Sequence, residues 1–395
     1  MDKRIYLDNA ATTRMSDEVL NYMLSYLKEE YGNPSSIYDL GADNKRALLT
    51  ARKSIAGVLE CEPQNIYFTS GGTESDNWAL IGSAESRCHQ GRHIITSKIE
   101  HHAIIHTCQY LEKRGYEVTY LDVDEQGRVE LERLQKALRR DTILVSIMTA
   151  NNEIGTIQPI EQIGLMLANH PALFHTDAVQ AFGHIPVLPE KWKVDLLSAS
   201  GHKFHGPKGI GFLYVREGIK LPSFLHGGKQ ERGMRAGTEN VPAIVGMGKA
   251  AEIAGKTMLK RMERETSLRD YMIHRIETEI PYCRLNGPRK NRLANNVNIS
   301  FSFVDGETIV ILLDMEGICT SSGSACTAGQ AVSSHVLTEI GLPEDIARGA
   351  VRFTLSEETS KKDIDDTVDI LKQILEKNRK MNPVYTSFAK LNQRR

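Results

Sequence analysis

The sequence predicts an α/β fold built on a mainly parallel sheet, and three observations carry that expectation. Between Ile66 and Ser200, short β-rich runs alternate with helical patterns, as in parallel sheets whose strands are joined by crossover helices. Glycine turns follow two of the strand runs, at Ser70-Gly-Gly-Thr73 and Ser200-Gly-His-Lys203. The side chains that look chemically purposeful fall just past the strand ends, where open α/β sheets bind ligands.

In chain order, Ile5 to Ala10 reads as extended, and Ser16-Asp17-Glu18 caps a helix running to about Glu30. Tyr31-Gly-Asn-Pro-Ser-Ser36 is turn chemistry. A helix is expected from about Ala42 to Leu59, a strand over Ile66–Thr69, and a helix opening after Gly71-Gly72. Strands follow at His93–Thr96, Glu117–Leu121, Ile143–Met148, Leu173–Asp177 and Val194–Ser198. The helices between them are Ala103–Arg114, Leu131–Arg139 and Ile160–Asn169. From Pro242 the composition turns to long helical patterning over Ile244–Glu279, and a domain boundary is expected near residue 255. Beyond it come a strand at Asn296–Phe301, a helix at Gly306–Met315, a strand within Ile346–Leu355 and an amphipathic helix over Asp363–Lys377. The tail from Glu376 carries six Lys/Arg against one acid and reads as a solvated or loosely held terminus, with partner docking as the alternative.

At 395 residues the chain is long for one domain, and its 41% hydrophobic and 25% charged content is ordinary for a globular protein. A net charge of −1 supplies no field toward nucleic acid or anionic membrane. The N-terminus has no apolar signal region, and no apolar run approaches the length of a membrane span. Cys61, Cys88, Cys108, Cys283, Cys319 and Cys326 form no C-x-x-C pair; they read as reduced thiols of a cytoplasmic protein. His102 and His106 share a helix face but lack a third ligand, so no resident metal is expected.

Lys203 sits between His202 and Phe204 at a strand end. An amine of lowered pKa there can form a Schiff base with a carbonyl, that of pyridoxal phosphate included; the plain alternative is an exposed loop lysine. The turn before Thr73 would cradle a phosphate at a helix start, or simply cap a helix. His101, Asn151, Asn152, Glu153, Asp177 and Gln180 each have a structural excuse as caps or turn residues. Their joint placement on one sheet edge favours an active site. Ser321-Ser-Gly-Ser-Ala-Cys-Thr-Ala-Gly329 surrounds Cys326 with small residues, the setting of a reactive thiol or of an incidental one.

Eight segments together resemble one family. They are Tyr6-Leu-Asp-Asn-Ala-Ala-Thr-Thr13, Gly72-Thr-Glu-Ser75, Glu100-His-His102, Asn151-Asn-Glu-Ile-Gly155, Asp177-Ala-Val-Gln180, Ser200-Gly-His-Lys203 through Gly209, Arg235-Ala-Gly-Thr238 and Ser321 through Cys326. In this order they resemble the NifS/IscS-type cysteine desulfurases, pyridoxal-phosphate enzymes of the class-V aminotransferase group. The resemblance implies the fold of type I pyridoxal-phosphate transferases. A large domain (15–255) would hold a seven-stranded sheet, and residues 1–14 and 256–395 a smaller α+β domain with the cysteine loop at about 319–334.

It also implies roles. Lys203 would hold the cofactor and move the substrate's Cα proton, Asp177 would pair with the ring nitrogen, Gln180 would bond the phenolic oxygen, and His101 would stack on the ring and serve as a catalytic proton carrier. Gly72, Thr73, Ser200 and His202 would hold the phosphate, joined by Thr238 of a second subunit in a homodimer. Asn152 and Arg352 would fix the substrate carboxylate. L-cysteine would give L-alanine and a Cys326 persulfide for an acceptor protein such as an iron–sulfur cluster scaffold, with Cys326 touching a cluster during transfer. One departure is Gln330-Ala-Val-Ser333 before Ser334-His335, where the family often has an acidic residue and a proline. The alternatives are a related lyase, such as a selenocysteine lyase, or an aminotransferase not using Cys326, and a catalytically idle sulfur-transfer scaffold.

Overall fold

The computed structural model describes residues 4–322 and 334–392. The chain opens with β1 (Ile5–Tyr6), α1 (Asp17–Lys28) and α2 (Asp39–Leu59), then β2 (Ile66–Thr69) and α3 (Gly72–Arg87). Strands and helices alternate through β3 (His93–Ser97), α4 (His102–Glu112), β4 (Glu117–Leu121), α5 (Leu131–Ala137), β5 (Thr142–Ser146), α6 (Ile160–Leu167) and β6 (Leu173–Asp177). Next come β7 (Leu196–Ser200), β8 (Gly211–Val215) and the long α7 (Val241–Glu279). The remainder is β9 (Cys283–Leu285), β10 (Asn296–Phe301), α8 (Gly306–Met315), β11 (Ile318–Cys319), α9 (His335–Glu339), α10 (Glu344–Arg348), β12 (Ala350–Thr354), α11 (Lys361–Met381) and α12 (Pro383–Asn392).

A seven-stranded sheet in the order β2-β8-β7-β6-β5-β3-β4 forms the centre. Only β8 runs against its neighbours; the other pairings are parallel. Every residue of β3, β5, β6, β7 and β8 is buried, as expected of strands covered by helices on both faces. The parallel register sets Asp177 opposite Ser198, so the polar ends of β6 and β7 emerge on one edge. A smaller antiparallel sheet, β12-β10-β9, and the parallel pair β1-β11 complete the architecture.

Local chemistry explains most boundaries. Ser16 accepts a bond from the Val19 N–H, and Asp17 and Glu18 stand at the positive end of the α1 dipole. α2 begins at Asp39, three residues before the expected start. Gly41 in its first turn hid that start, because glycine weakens a helical signal; here it lets the turn press against the Asn33 and Ser36 carbonyls. The strand expected within Ile346–Leu355 is β12, Ala350–Thr354, which pairs with β10; residues 346–348 before it belong to α10. β7 reaches Ser200, two residues beyond the expected end, because Ser200 still pairs with Gly211 of β8. The reading of the tail as loosely held is corrected. Its first part continues α11 and residues 383–392 form α12, with the Tyr385 and Phe388 rings edge-on or tilted against Tyr282 and Phe303 at 5.2–6.1 Å.

The helix α7 runs unbroken through residue 255. Beneath its C-terminal half, a hydrophobic cluster gathers Leu7, Met272, Ile276, Val297, Phe301, Phe353 and Leu371. A larger cluster under the seven-stranded sheet reaches across to Val336, Leu337 and Ala350, so the two halves share buried surface. No helix of the described residues is long and apolar enough to cross a membrane.

Gly164 in α6 packs where a Cβ would run into the Trp192 carbonyl. Helix propensity alone favours Gly164→Ala by about 1 kcal/mol. The clash reverses the sign, and denaturant unfolding is expected to show a net loss of about 1–3 kcal/mol.

Candidate active site

A cavity of about 350 Å³ lies beyond the carboxyl ends of β5, β6 and β7. Gly72, Thr73, His101, Asn152, Asp177, Gln180, Ser200, His202, Lys203 and Arg352 all line it. Four of the residues singled out in the sequence do not join them: Asn151, which is buried and donates to the Ile99 carbonyl at 2.9 Å, Glu153, which is buried and accepts the Ser334 hydroxyl, Thr238 and Cys326. Thr238 is exposed on the loop before α7, and Cys326 lies outside the described residues, as does the Gln330–Ser333 departure.

Lys203 ends a single 3₁₀ turn that leaves β7, and the chain on either side is pinned. The Gly201 N–H donates to the Ile210 carbonyl at 3.0 Å and the Thr13 N–H to the His202 carbonyl at 2.9 Å. His184 Nε2 donates to the Lys203 carbonyl at 2.8 Å. Phe204 is 1% exposed, its ring edge-on to Phe182 at 4.9 Å; such pairs add about 0.5–1.5 kcal/mol beyond their buried area. With its backbone held, Lys203 reaches back, and its Nζ donates to the carbonyls of Ala10 at 2.6 Å and Ala11 at 2.9 Å.

Asp177 closes β6, where its Oδ1 accepts the Val179 N–H at 2.8 Å. Burial pushes its carboxyl up to about 6, while that N–H and the Lys203 charge pull it back. Gln180 Nε2 donates to the same Ala10 carbonyl at 2.9 Å. His101 caps α4, its Nδ1 accepting the Ala103 N–H at 3.1 Å, so the neutral ring carries its proton on Nε2. Burial first, and then the Lys203 charge, push this imidazole down to about 4. His202 is held at about 4 by burial and the same lysine, with Nδ1 3.1 Å from the Thr12 hydroxyl.

α3 starts without a side-chain cap, which leaves its first N–H groups to an outside acceptor. Gly72 is required there, because a Cβ would come within 2.6 Å of Val179 Cγ2. Arg352, 3% exposed, donates through Nη2 to Asp8 Oδ1 at 2.9 Å and through Nη1 to the Asn152 carbonyl at 3.0 Å. Its buried Nε has no hydrogen-bond partner among the described residues.

Sequence reasoning missed Asp8, the Ala10 and Ala11 carbonyls, Asp76 and the buried carboxyl group of Glu100. Backbone acceptors leave no side-chain signal. Glu100, adjacent to His101, drew no separate attention, yet it is fully buried, accepting the Ser97 hydroxyl at 2.6 Å and the Met148 N–H at 3.0 Å.

The donor set fits pyridoxal phosphate: a lysine amine, a buried carboxylate and an uncapped helix start with Thr73 and Ser200 hydroxyls face one cavity. Comparison with known proteins agrees. Residues 5–367 match the aminotransferase class-V family. The chain belongs to that family. A curated cysteine desulfurase IscS from Dictyoglomus turgidum is 51% identical over 394 residues, covering 100% of both chains. A solved NifS-like protein superposes with a TM-score of 0.90 at 40% identity, covering 95% of this chain and 100% of that one. A structure of SspA in complex with cysteine superposes at 0.79 with 35% identity, covering 91% and 100%. These relatives place the chain among the cysteine desulfurases, which use pyridoxal phosphate.

Burial raises Glu100 from 4.5 to about 8. The folded chain then holds a proton that the unfolded chain releases, so this contribution to stability is complete below pH 4.5 and is lost as pH rises through about 8. Depressed histidines such as His101 act in the opposite direction, below about 6.5. Stability of the cofactor-free protein is therefore expected to fall between about pH 6.5 and 8, and Glu100→Gln to flatten that slope by up to ~1.4 kcal/mol per pH unit, read by urea unfolding at stepped pH.

Proposed function

We propose that this cavity removes sulfur from L-cysteine, with the residues around Lys203 dividing the work. The observation that carries the reading is the convergence of the Lys203 amine, the Asp177 carboxylate and the uncapped start of α3 on one buried space. Pyridoxal phosphate, when bound, supplies an electron sink for bonds broken at the substrate's carbon atoms.

Lys203 would attach the cofactor and, as a free amine, carry the substrate's Cα proton; the Ala10 and Ala11 carbonyls hold that free amine. Asp177 would pair with the ring nitrogen, Gln180 with the phenolic oxygen, and His101 would stack on the ring. His101 is neutral near pH 7, so it presents Nε2–H without adding positive charge. Gly72, Thr73, Ser200 and His202 would hold the phosphate, with Thr238 of a second subunit completing the set. Arg352 and Asn152 hold the substrate carboxylate. The guanidinium fork lets Arg352 accept a second carboxylate while Asp8 keeps its orientation.

The Cys326 thiolate bonds to the substrate's sulfur as that sulfur's bond to Cβ breaks. This leaves a persulfide on Cys326 and, after proton return, L-alanine. The persulfide passes to an acceptor protein, such as an iron–sulfur scaffold. Homodimerisation, a cytoplasmic location and division into 15–255 against 1–14 with 256–395 belong to the same proposal. The separate cluster around Leu7 and Phe353 supports the division, and the free thiols of Cys61, Cys88, Cys108, Cys283 and Cys319 support a reducing compartment.

Cys326→Ala is expected to keep the cofactor's visible absorption and lose persulfide and alanine formation. Lys203→Ala should lose that absorption and cut turnover by roughly 10²–10⁴-fold or more. Undiminished alanine from Cys326→Ala would favour a lyase that bypasses the thiol. A protein that binds cofactor yet is inert to cysteine would favour the idle scaffold. Light scattering should return about twice the 44.2 kDa chain mass, and Thr238→Ala should weaken cofactor affinity without changing that mass.

A further inference from the structure

We propose that Asp76 is a positioning residue for Asp177: it stays a neutral, proton-carrying acid beneath the cavity, so that Asp177 alone presents negative charge to the cofactor. The assignment rests on the reading of Asp177 given above, and it adds a second carboxyl group to the site.

Asp76 lies in α3, is 1% exposed and lines the cavity. Its Oδ1 is buried and has no hydrogen-bond partner among the described residues. His175 Nε2 stands 3.7 Å away, yet both nitrogens of that ring are engaged, Nδ1 with the Ser146 hydroxyl at 2.8 Å and Nε2 with the Ser198 hydroxyl at 3.0 Å. Complete burial drives His175 down to about 3, so it brings no positive charge.

The groups around Asp76 come from the neighbouring elements. β6 contributes His175 and Asp177, β7 contributes the Ser198 hydroxyl, and the turn after β3 contributes Glu100. His101 and Lys203 stand across the cavity. Burial, Asp177 and Glu100 all disfavour ionisation of Asp76, against a single opposing bond from Ser198. Asp177 is better placed to hold a charge, since the Val179 N–H and the Lys203 ammonium both favour its ionised form. Two neighbouring carboxyl groups in a dry site cannot both ionise without a cation between them, and the stabilising groups lie with Asp177. A proton on Asp76 turns an orphaned acceptor into a donor beside the Ser198–His175 row.

The test compares wild type with Asp76→Asn, which keeps shape and neutrality. In cofactor-free protein at about pH 7.5, above the range in which Asp177 holds its proton, the infrared difference spectrum should show a protonated carboxylic-acid stretch lost in the variant. A difference made only of carboxylate bands overturns the proposal. In the cofactor-loaded protein, the pH midpoint of the visible band should move by less than about 0.3 unit. A fall of one unit, a tenfold loss of proton affinity, would mean that a negative charge had been removed, and it overturns the proposal too. Asp76→Ser, smaller and equally neutral, serves for both measurements if the amide variant does not fold. A wild-type protein that never forms the visible band would sink the reading of Asp177 instead, while the infrared comparison still decides the state of Asp76.

Discussion

The site depends on one strap of backbone, Asp8 to Thr13, that ties the Lys203 turn to the second hydrophobic cluster. Leu7 is buried in that cluster. Asn9 bonds the Thr354 carbonyl at 2.8 Å, and the next two carbonyls take the Lys203 amine. Thr13 closes the strap on the other side, through its N–H to the His202 carbonyl and its hydroxyl to the His205 N–H at 2.8 Å. Asp8 meanwhile orients Arg352. Without the strap, the lysine and the arginine would lose the contacts that aim them at the same space.

Desolvation is the second constraint, and it acts on the histidines and buried carboxyl groups at the sheet edge. His101 and His202 are kept neutral, Glu100 holds its proton to about pH 8, and Asp177 is raised to about 6. With its neighbours neutral, the cavity can present one selected carboxylate and one selected amine. In a wet cleft these groups would screen one another and titrate near their ordinary values. Sheet burial on both faces is what removes the water, so the fold and the chemistry share one cause.

Much of the fold was legible because local patterns and global packing agree. Ser16 caps a helix and does so in the structure, and the runs at Ile66–Thr69, Glu117–Leu121 and Leu173–Asp177 are strands with the expected ends. Misreadings fell where tertiary contacts override local signals. The helix expected from Ala42 starts at Asp39, where Gly41 presses against the Asn33 and Ser36 carbonyls. The charged tail looked solvated, yet two aromatic rings among its polar residues found a matching pair at Tyr282 and Phe303.

By itself the sequence determined the alternation of strands and helices and the edge on which polar residues emerge, and it singled out Lys203, Asp177, Gln180 and His101, which line one cavity. These follow from side-chain type and spacing, which are local quantities. Tertiary structure alone decided which groups face one another across the cavity. The partners of Lys203 and Arg352 lie 193 and 344 residues away; the first is a backbone carbonyl, which no side-chain pattern records. The burial that neutralises His175 and isolates Asp76 is likewise set by the packing of α3 over β6 and β7, because a residue's distance from water is a property of the folded chain.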